Sequence, residues 1–200
     1  MAQTVAPASE HRSRLLEGMA HAVAAKGYAE TTIADIVGAA SVSRRTFYEH
    51  FGTKAECLVA LYEAASHNAL KMLRGAIDPA QPWQTQIQRA LTAYFGCMAQ
   101  NPVLMRTLFI EILGLGPEGL AARRRVNQEI ADFILGVVNG PSGHPRATPL
   151  PRELASALVG GINELVLQYI EEDRVAQLRE LAHTASQLVR AVTTDEKTGA

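Results

Sequence analysis

The chain has 200 residues, 48% of them hydrophobic and 20% charged, with a formal net charge of −1. Such a composition is ordinary for a globular protein and excludes a disordered chain, a collagen-like repeat and a disulfide-stapled scaffold. Its two cysteines, Cys57 and Cys97, have no CxxC or metal-like spacing, which suits a reducing compartment and predicts no metal site.

The first residues lack the apolar core of a signal peptide, and the longest nearly apolar run, 157–170, is interrupted by Asn163, Glu164 and Gln168. A cytoplasmic protein without a membrane span is therefore expected. Helical periodicity runs through almost every segment, with no alternating β-branched stretch between hairpin turns, so the predicted fold is all-α with about nine helices. Ser9 can cap a first helix whose Leu15, Leu16, Met19 and Val23 form one stripe, and Gly27 is placed to end it. Thr32 precedes a short helix carrying Ile33, Ile36 and Val37 to about Ala40. After the turn Ala40-Ser41-Val42, Ser43 caps a third helix to about His50. Thr53-Lys54-Ala55-Glu56 has the spacing of a capping box and opens a long fourth helix to about Ile77. Prolines then punctuate the chain at Pro79 and Pro82, Pro102 and Pro117, each followed by an amphipathic run. The Pro- and Gly-rich stretch 140–151 reads as a loop, and two last helices are predicted over about 151–172 and 175–192. The expected organisation is a three-helix helix-turn-helix head over 9–52, a helical ligand-binding and dimerising domain over 53–192, and a flexible tail over 193–200.

On the third helix Phe47 and Phe51 lie within about 40° of each other and set the buried side. Arg45, Thr46 and Glu49 spread across the opposite face, flanked by Arg44, Tyr48 and His50. A helix that enters the major groove needs side chains that reach base edges and flanking donors for phosphates. Arg44 and Arg45 can pair with guanine, while Thr46, Tyr48 and His50 can donate to phosphate oxygens. The helix starts at Thr32 and Thr53 offer two further anion sites, with Lys54 at the second. Glu49 would be repelled by phosphate unless it accepts from a cytosine amino group or pairs internally with Arg45, and the internal pair is the expected one. Arg12 and Arg14 read equally as phosphate contacts or as a solvated helix face. The charge bias is small: residues 1–54 hold six cations against five anions, or +1, which leaves 13 against 15, or −2, elsewhere.

The segment GYAETTIADIVGAASVSRRTFYEHFGTKAECL resembles the DNA-binding head of the tetracycline-repressor (TetR) family of bacterial regulators. The likeness covers roughly residues 10–60 and rests on Gly27-Tyr28, Thr31-Thr32-Ile33, Ile36-Val37, Ala40, Val42-Ser43, Phe47-Tyr48, His50-Phe51 and Lys54. It implies that Thr32, Ser43, Tyr48, His50 and Lys54 contact the DNA backbone and that the start of the third helix reads bases. Arg45 stands where many members carry Gly.

The same resemblance implies an effector pocket among the fourth to eighth helices. There Tyr94, Met98, Met105, Phe109 and Phe133 are the lining candidates, with Asn163 as a polar one, although aromatic and methionine stripes are also ordinary core. Residues 154–170 are apolar on two sides, so this helix is expected to be buried on both, once against its own domain and once against a partner chain. Leu158, Gly161, Leu165, Leu181 and Leu188 are the interface candidates, and the resemblance implies a four-helix bundle across a twofold axis. Arg123-Arg124-Arg125 reads as a solvated helix face.

The chain is thus expected to be a homodimeric regulator, working as a repressor, that binds a pseudo-palindromic double-stranded operator and is released by a small apolar or amphipathic effector, with no cofactor. Thiol or oxidant sensing through Cys97 is the alternative. No enzyme is expected: Gly140-Pro141-Ser142-Gly143-His144 is only superficially like a nucleophile elbow and lacks strand context.

Overall fold

The computed structural model describes residues 7–140 and 148–193. Its described residues form nine α-helices and two 3-10 helices and no strand, the all-α fold that the periodicity implies. The helices are α1 (Pro7–Glu30), α2 (Ile33–Ala40), α3 (Arg44–His50), α4 (Lys54–Gly75), α5 (Trp83–Met98), α6 (Pro102–Phe109), α7 (Pro117–Val138), α8 (Arg152–Glu171) and α9 (Leu181–Thr193). The 3-10 helices are Glu111–Leu115 and Val175–Glu180. The chain forms two compact units. One takes the described residues through Ala65 together with Arg106–Ala122; the other takes Ser66–Met105 and the described residues from Arg123 onward.

In the first unit, α1 packs on α2, and Leu15, Met19, Ile36, Phe47 and Leu58 are fully buried. The predicted end of the first helix is visible in the backbone: Gly27 has φ 78 and ψ 164 and breaks the helical path. Thr32 caps α2 through a reciprocal box, with Asp35 N–H donating to Thr32 Oγ1 and Asp35 Oδ2 accepting from Thr32 N–H at 2.8 Å. Lys26 Nζ, 2.7 Å from Asp35 Oδ2, and the Thr32 donors hold this carboxyl well below the usual carboxylate range.

The helix-turn-helix turn is made at Ser41, which has φ 52 and ψ 45. Ser41 N–H donates to Gly38 O and Val42 N–H to Val37 O at 3.1 Å, so the last carbonyls of α2 are satisfied. A serine in the left-handed region is held there at a cost of about 1 kcal/mol relative to glycine. Ser41→Gly should therefore stabilise the head by roughly that amount, seen as a higher urea midpoint with an unchanged m-value.

In the second unit α5 and α8 pack on α9, and Phe95, Val166 and Leu178 are fully buried. Asn101 Oδ1 accepts from Leu104 N–H at 3.0 Å and starts α6. Asn139 joins the two ends of the predicted loop, donating to Leu150 O at 3.1 Å and accepting from Leu150 N–H at 2.8 Å. Ser142 and His144, in the middle of that loop, and the tail after Thr193 lie outside the described residues.

Two of the predicted helical runs are partly 3-10. The sixth stops at Phe109 and the chain continues as a 3-10 helix through Ile112, where Gly114 and Gly116, the latter at φ 60, weaken an α-helix. The last predicted helix begins as the 3-10 segment Val175–Glu180, and α9 starts only at Leu181. Arg174, which bonds Glu172, Gln177 and Glu180 and lies over Tyr169, organises that turn instead.

Candidate nucleic-acid interface and apolar cavity

Ser43 Oγ accepts from Thr46 N–H at 3.0 Å and starts α3. Phe47 is fully buried and Phe51 nearly so, their ring centroids 5.8 Å apart. This anchor turns Arg44, Arg45, Tyr48 and Glu49 to the surface, with Tyr48 59% exposed; Thr46 and His50 are half-buried beside them. The expected internal pair is present: Arg45 Nε lies 3.1 Å from Glu49 Oε1. Arg45 engages Glu49 through Nε, and among the described residues its two terminal nitrogens carry no bond. They are the atoms that a guanine O6/N7 edge requires.

Two other cations of this unit, Lys54 and Arg14, bond the chain's own carbonyls. Lys54 Nζ donates to Tyr28 O at 2.8 Å and to Thr31 O at 2.7 Å and sits 4.2 Å from the centre of the Tyr28 ring. The residue read as a phosphate contact thus caps the end of α1. Arg14 Nη2 donates to Ala40 O at 2.7 Å and Ser41 O at 2.8 Å, pinning α1 to the helix-turn-helix turn. Arg12 lies over the Phe51 ring at 5.6 Å. These roles are invisible in the sequence because the partners are up to 27 residues away.

The two anion sites expected at helix starts already hold the chain's own carboxylates. Asp35 fills the start of α2. At α4, Glu56 N–H donates to Thr53 Oγ1 at 3.0 Å, and Glu56 Oε2 accepts from Gly52 N–H at 2.8 Å. The first turn of α3 carries no acidic residue. Of α2, α3 and α4, α3 alone starts without a carboxylate of its own in the first turn, which leaves its positive end for an anionic partner.

The second unit holds an apolar cavity that is open on one side. Of the candidates named above, Tyr94, Phe133 and Asn163 border this cavity. Met98 and Met105 are buried away from its wall, and Phe109 belongs to the first unit. Trp83, Ile87, Ile134 and Val159 line it instead. Trp83 opens α5 directly after Pro82, a position that helical spacing alone does not distinguish from core. Asn163 is 8% exposed, and its Nδ2 donates to Asn127 Oδ1 at 3.0 Å. Glu164 is exposed.

The interface candidates separate. Leu158 and Leu181 are 2% and 4% exposed and belong to the chain's own core, which corrects their placement on a free face. Gly161, Leu165 and Leu188 are half-buried, and Leu154 is 46% exposed. The buried side of α8 runs through Ala155, Leu158, Val159, Ile162, Val166 and Ile170. This turns the free side toward Leu154, Gly161 and Leu165, a fraction of a turn from the pattern's prediction.

Cys57 is buried, and burial pushes its thiol up to about 12 against a smaller opposing effect of Arg12. Cys97 is half-buried, with the neutral Asn68 amide donating to its sulfur at 3.6 Å. Among the described residues no cluster of three or more metal-ligating side chains occurs and no helix is long and apolar enough to cross a membrane.

Residues 15–61 match the family described as bacterial regulatory proteins, tetR family. The transcriptional regulator TtgR of Pseudomonas putida is 31% identical over 129 residues, which cover 63% of this chain and 51% of TtgR. The transcriptional activator FasR of Mycolicibacterium smegmatis is 22% identical over 137 residues, covering 68% of this chain and 63% of FasR. The chain thus spans between about half and two thirds of the length of these relatives. Among solved structures, FadR of Bacillus subtilis in complex with stearoyl-CoA superposes with a TM-score of 0.70 at 16% identity, over 92% of this chain and 99% of that one. The multidrug binding protein EbrR complexed with imidazole gives 0.67 at 16% identity, over 94% and 97%. At such identities these likenesses show the fold. The sequence match falls on the helix-turn-helix described above, so residues 15–61 carry the part of the chain that is similar to the tetR family of bacterial regulatory proteins.

Proposed function

We propose that the chain is a ligand-responsive transcriptional regulator with a DNA-binding head over residues 9–52 and a ligand-binding, dimerising body over 53–192. It binds a pseudo-palindromic operator as a homodimer in the cytoplasm and represses until a small apolar or amphipathic effector releases it. The observation that carries this reading is α3, which exposes Arg44, Arg45 and Tyr48 around a buried Phe47 and has no carboxylate in its first turn. Ser43, Thr46 and His50 complete the DNA-facing set. Thr32 and Lys54 act by holding the head together.

Two copies joined through the free side of α8, with Gly161, Leu165 and Leu188, would present two such helices to successive major grooves about 34–36 Å apart. The effector's leverage equals its differential affinity for the DNA-bound and free states. The ligand complexes of FadR and EbrR and the uncharged cavity support a small-molecule effector. Thiol sensing is not adopted, because the polar neighbour of Cys97 is a neutral amide rather than a cation that would activate it.

The test is selection of bound fragments from genomic DNA with the purified chain, then titration of the recovered operator. Arg45→Ala should lower discrimination between operator and a base-substituted site by about 1–3 kcal/mol per half-site, while affinity for unrelated DNA stays nearly constant. Salt-independent retention of any duplex, or none at all, would remove the proposal.

A further inference from the structure

We infer that the cavity of the second unit selects an uncharged, largely apolar ligand carrying one hydrogen-bond donor, that Asn163 reads this donor, and that Asn127 positions Asn163. The inference rests on the reading of the cavity as the effector site and adds the ligand's chemistry to it.

None of the sixteen lining residues is Asp, Glu, Lys, Arg or His. An ionic group carried into such a wall would lose its hydration with no counter-charge to replace it, so a charged ligand is excluded. Asn163 supplies an amide in a wall that is otherwise aliphatic and aromatic, apart from the polar tips of Trp83 and Tyr94. It is more than nine-tenths buried, and such amides are normally hydrogen-bonded. Part of that demand is met: one N–H of Nδ2 donates to Asn127 Oδ1 at 3.0 Å. Among the described residues no donor reaches Asn163 Oδ1, and this oxygen is not among the sealed, unpartnered atoms of the interior. It is therefore an acceptor open to the cavity.

The bond to Asn127, on α7, uses one of the two N–H donors of Asn163 and leaves its carbonyl without a donor. A ligand hydroxyl, phenol or amide N–H would complete the set. A ligand with only acceptors would leave the carbonyl unpaired, and that asymmetry is what makes a polar group selective. Arg74, whose guanidinium lies 5.5 Å from the Phe133 ring centre, is exposed and does not line the cavity.

The experiment is calorimetric titration of the full chain with four probes of one shape: 4-ethyltoluene, 4-ethylphenol, 4-ethylanisole and 4-ethylbenzoate. The phenol is expected to bind about tenfold tighter than the toluene and the anisole, equivalent to about 1.4 kcal/mol, and the benzoate not to bind. Asn163→Leu should shrink the phenol's advantage to within about twofold while 4-ethyltoluene binds as well as before or better. Asn127→Leu should narrow the advantage in the same way, without loss of 4-ethyltoluene binding. A merely structural role for either residue would weaken all neutral probes together.

The inference is overturned if the parent shows no preference for the phenol, prefers the anisole, or binds the benzoate best; the last result would point to Arg74. Those outcomes leave the effector site itself standing, because 4-ethyltoluene still binds. If no neutral probe binds at millimolar concentration, the effector-site reading and this inference fall together. The parent's probe order decides even where a variant fails to fold.

Discussion

Gly18→Val is expected to abolish operator binding and to unfold the head. A Cβ built on Gly18 would lie 2.6 Å from Ile36 O and 3.0 Å from Ala40 N and Ala40 Cβ. Two of these are backbone atoms of α2, so no side-chain rotation relieves the contact, and α2 would have to move off α1. Alanine alone overpacks the crossing, with a cost of about 1–3 kcal/mol set against a helix-propensity gain of about 1 kcal/mol. Valine adds two methyl groups to the same clash and loses most of the propensity gain. Because Arg14 on α1 also holds Ala40 O and Ser41 O, displacement of α2 breaks the turn that presents α3. Gly38 supplies the control within α2: a Cβ there meets nothing within 4 Å. Gly38→Ala should instead stabilise the head by up to about 1 kcal/mol. Fluorescence anisotropy on a labelled operator and thermal melting by circular dichroism distinguish the two. Parent-like affinity and melting for Gly18→Val would sink this account of the crossing.

The contrast between Gly18 and Gly38 marks what can be read from a single chain. Caps and turns are local, so Thr32, Ser41, Ser43 and Thr53 were legible, and so was the Arg45–Glu49 pair at helical spacing. What a side chain meets across the fold is not local. Leu158 and Leu165 differ by about two turns on one ridge of α8, yet Leu158 is buried in its own core and Leu165 only half so. Among residues of like periodicity, Phe133 lines the cavity and Met98 does not. The cations show the same limit: Arg14 and Lys54 look like phosphate ligands until their carbonyl partners, 23 to 27 residues away, are seen.

Lys54 is where this difference has the largest experimental consequence. As a phosphate contact it would contribute one released counterion per subunit, and its removal would flatten the dependence of log K on log salt by about 2 for a dimer. In the structure its ammonium is engaged by Tyr28 O and Thr31 O, with Ala29 O at 3.4 Å. These carbonyls belong to the chain just after the break at Gly27 and before α2, and Tyr28 O also accepts from Thr31 N–H at 3.2 Å. Charge-assisted bonds of this kind are worth about 1.5–3 kcal/mol each, and a carbonyl left unpaired adds a cost of its own. Lys54 is also the first residue of α4, where the helix dipole disfavours a cation, so the carbonyls must outweigh that penalty. Lys54→Met keeps the apolar stem against Tyr28 and removes the charge. It should lower head stability by about 2 kcal/mol and weaken binding to operator and unrelated DNA alike, with the salt slope unchanged within about half a unit. Urea melting of the head and titrations at several salt concentrations measure both quantities. A slope that flattens by about 2 with unchanged stability would return Lys54 to the DNA surface; an unchanged slope with a weakened head would establish that α4 secures the end of α1 and supports α3 from behind.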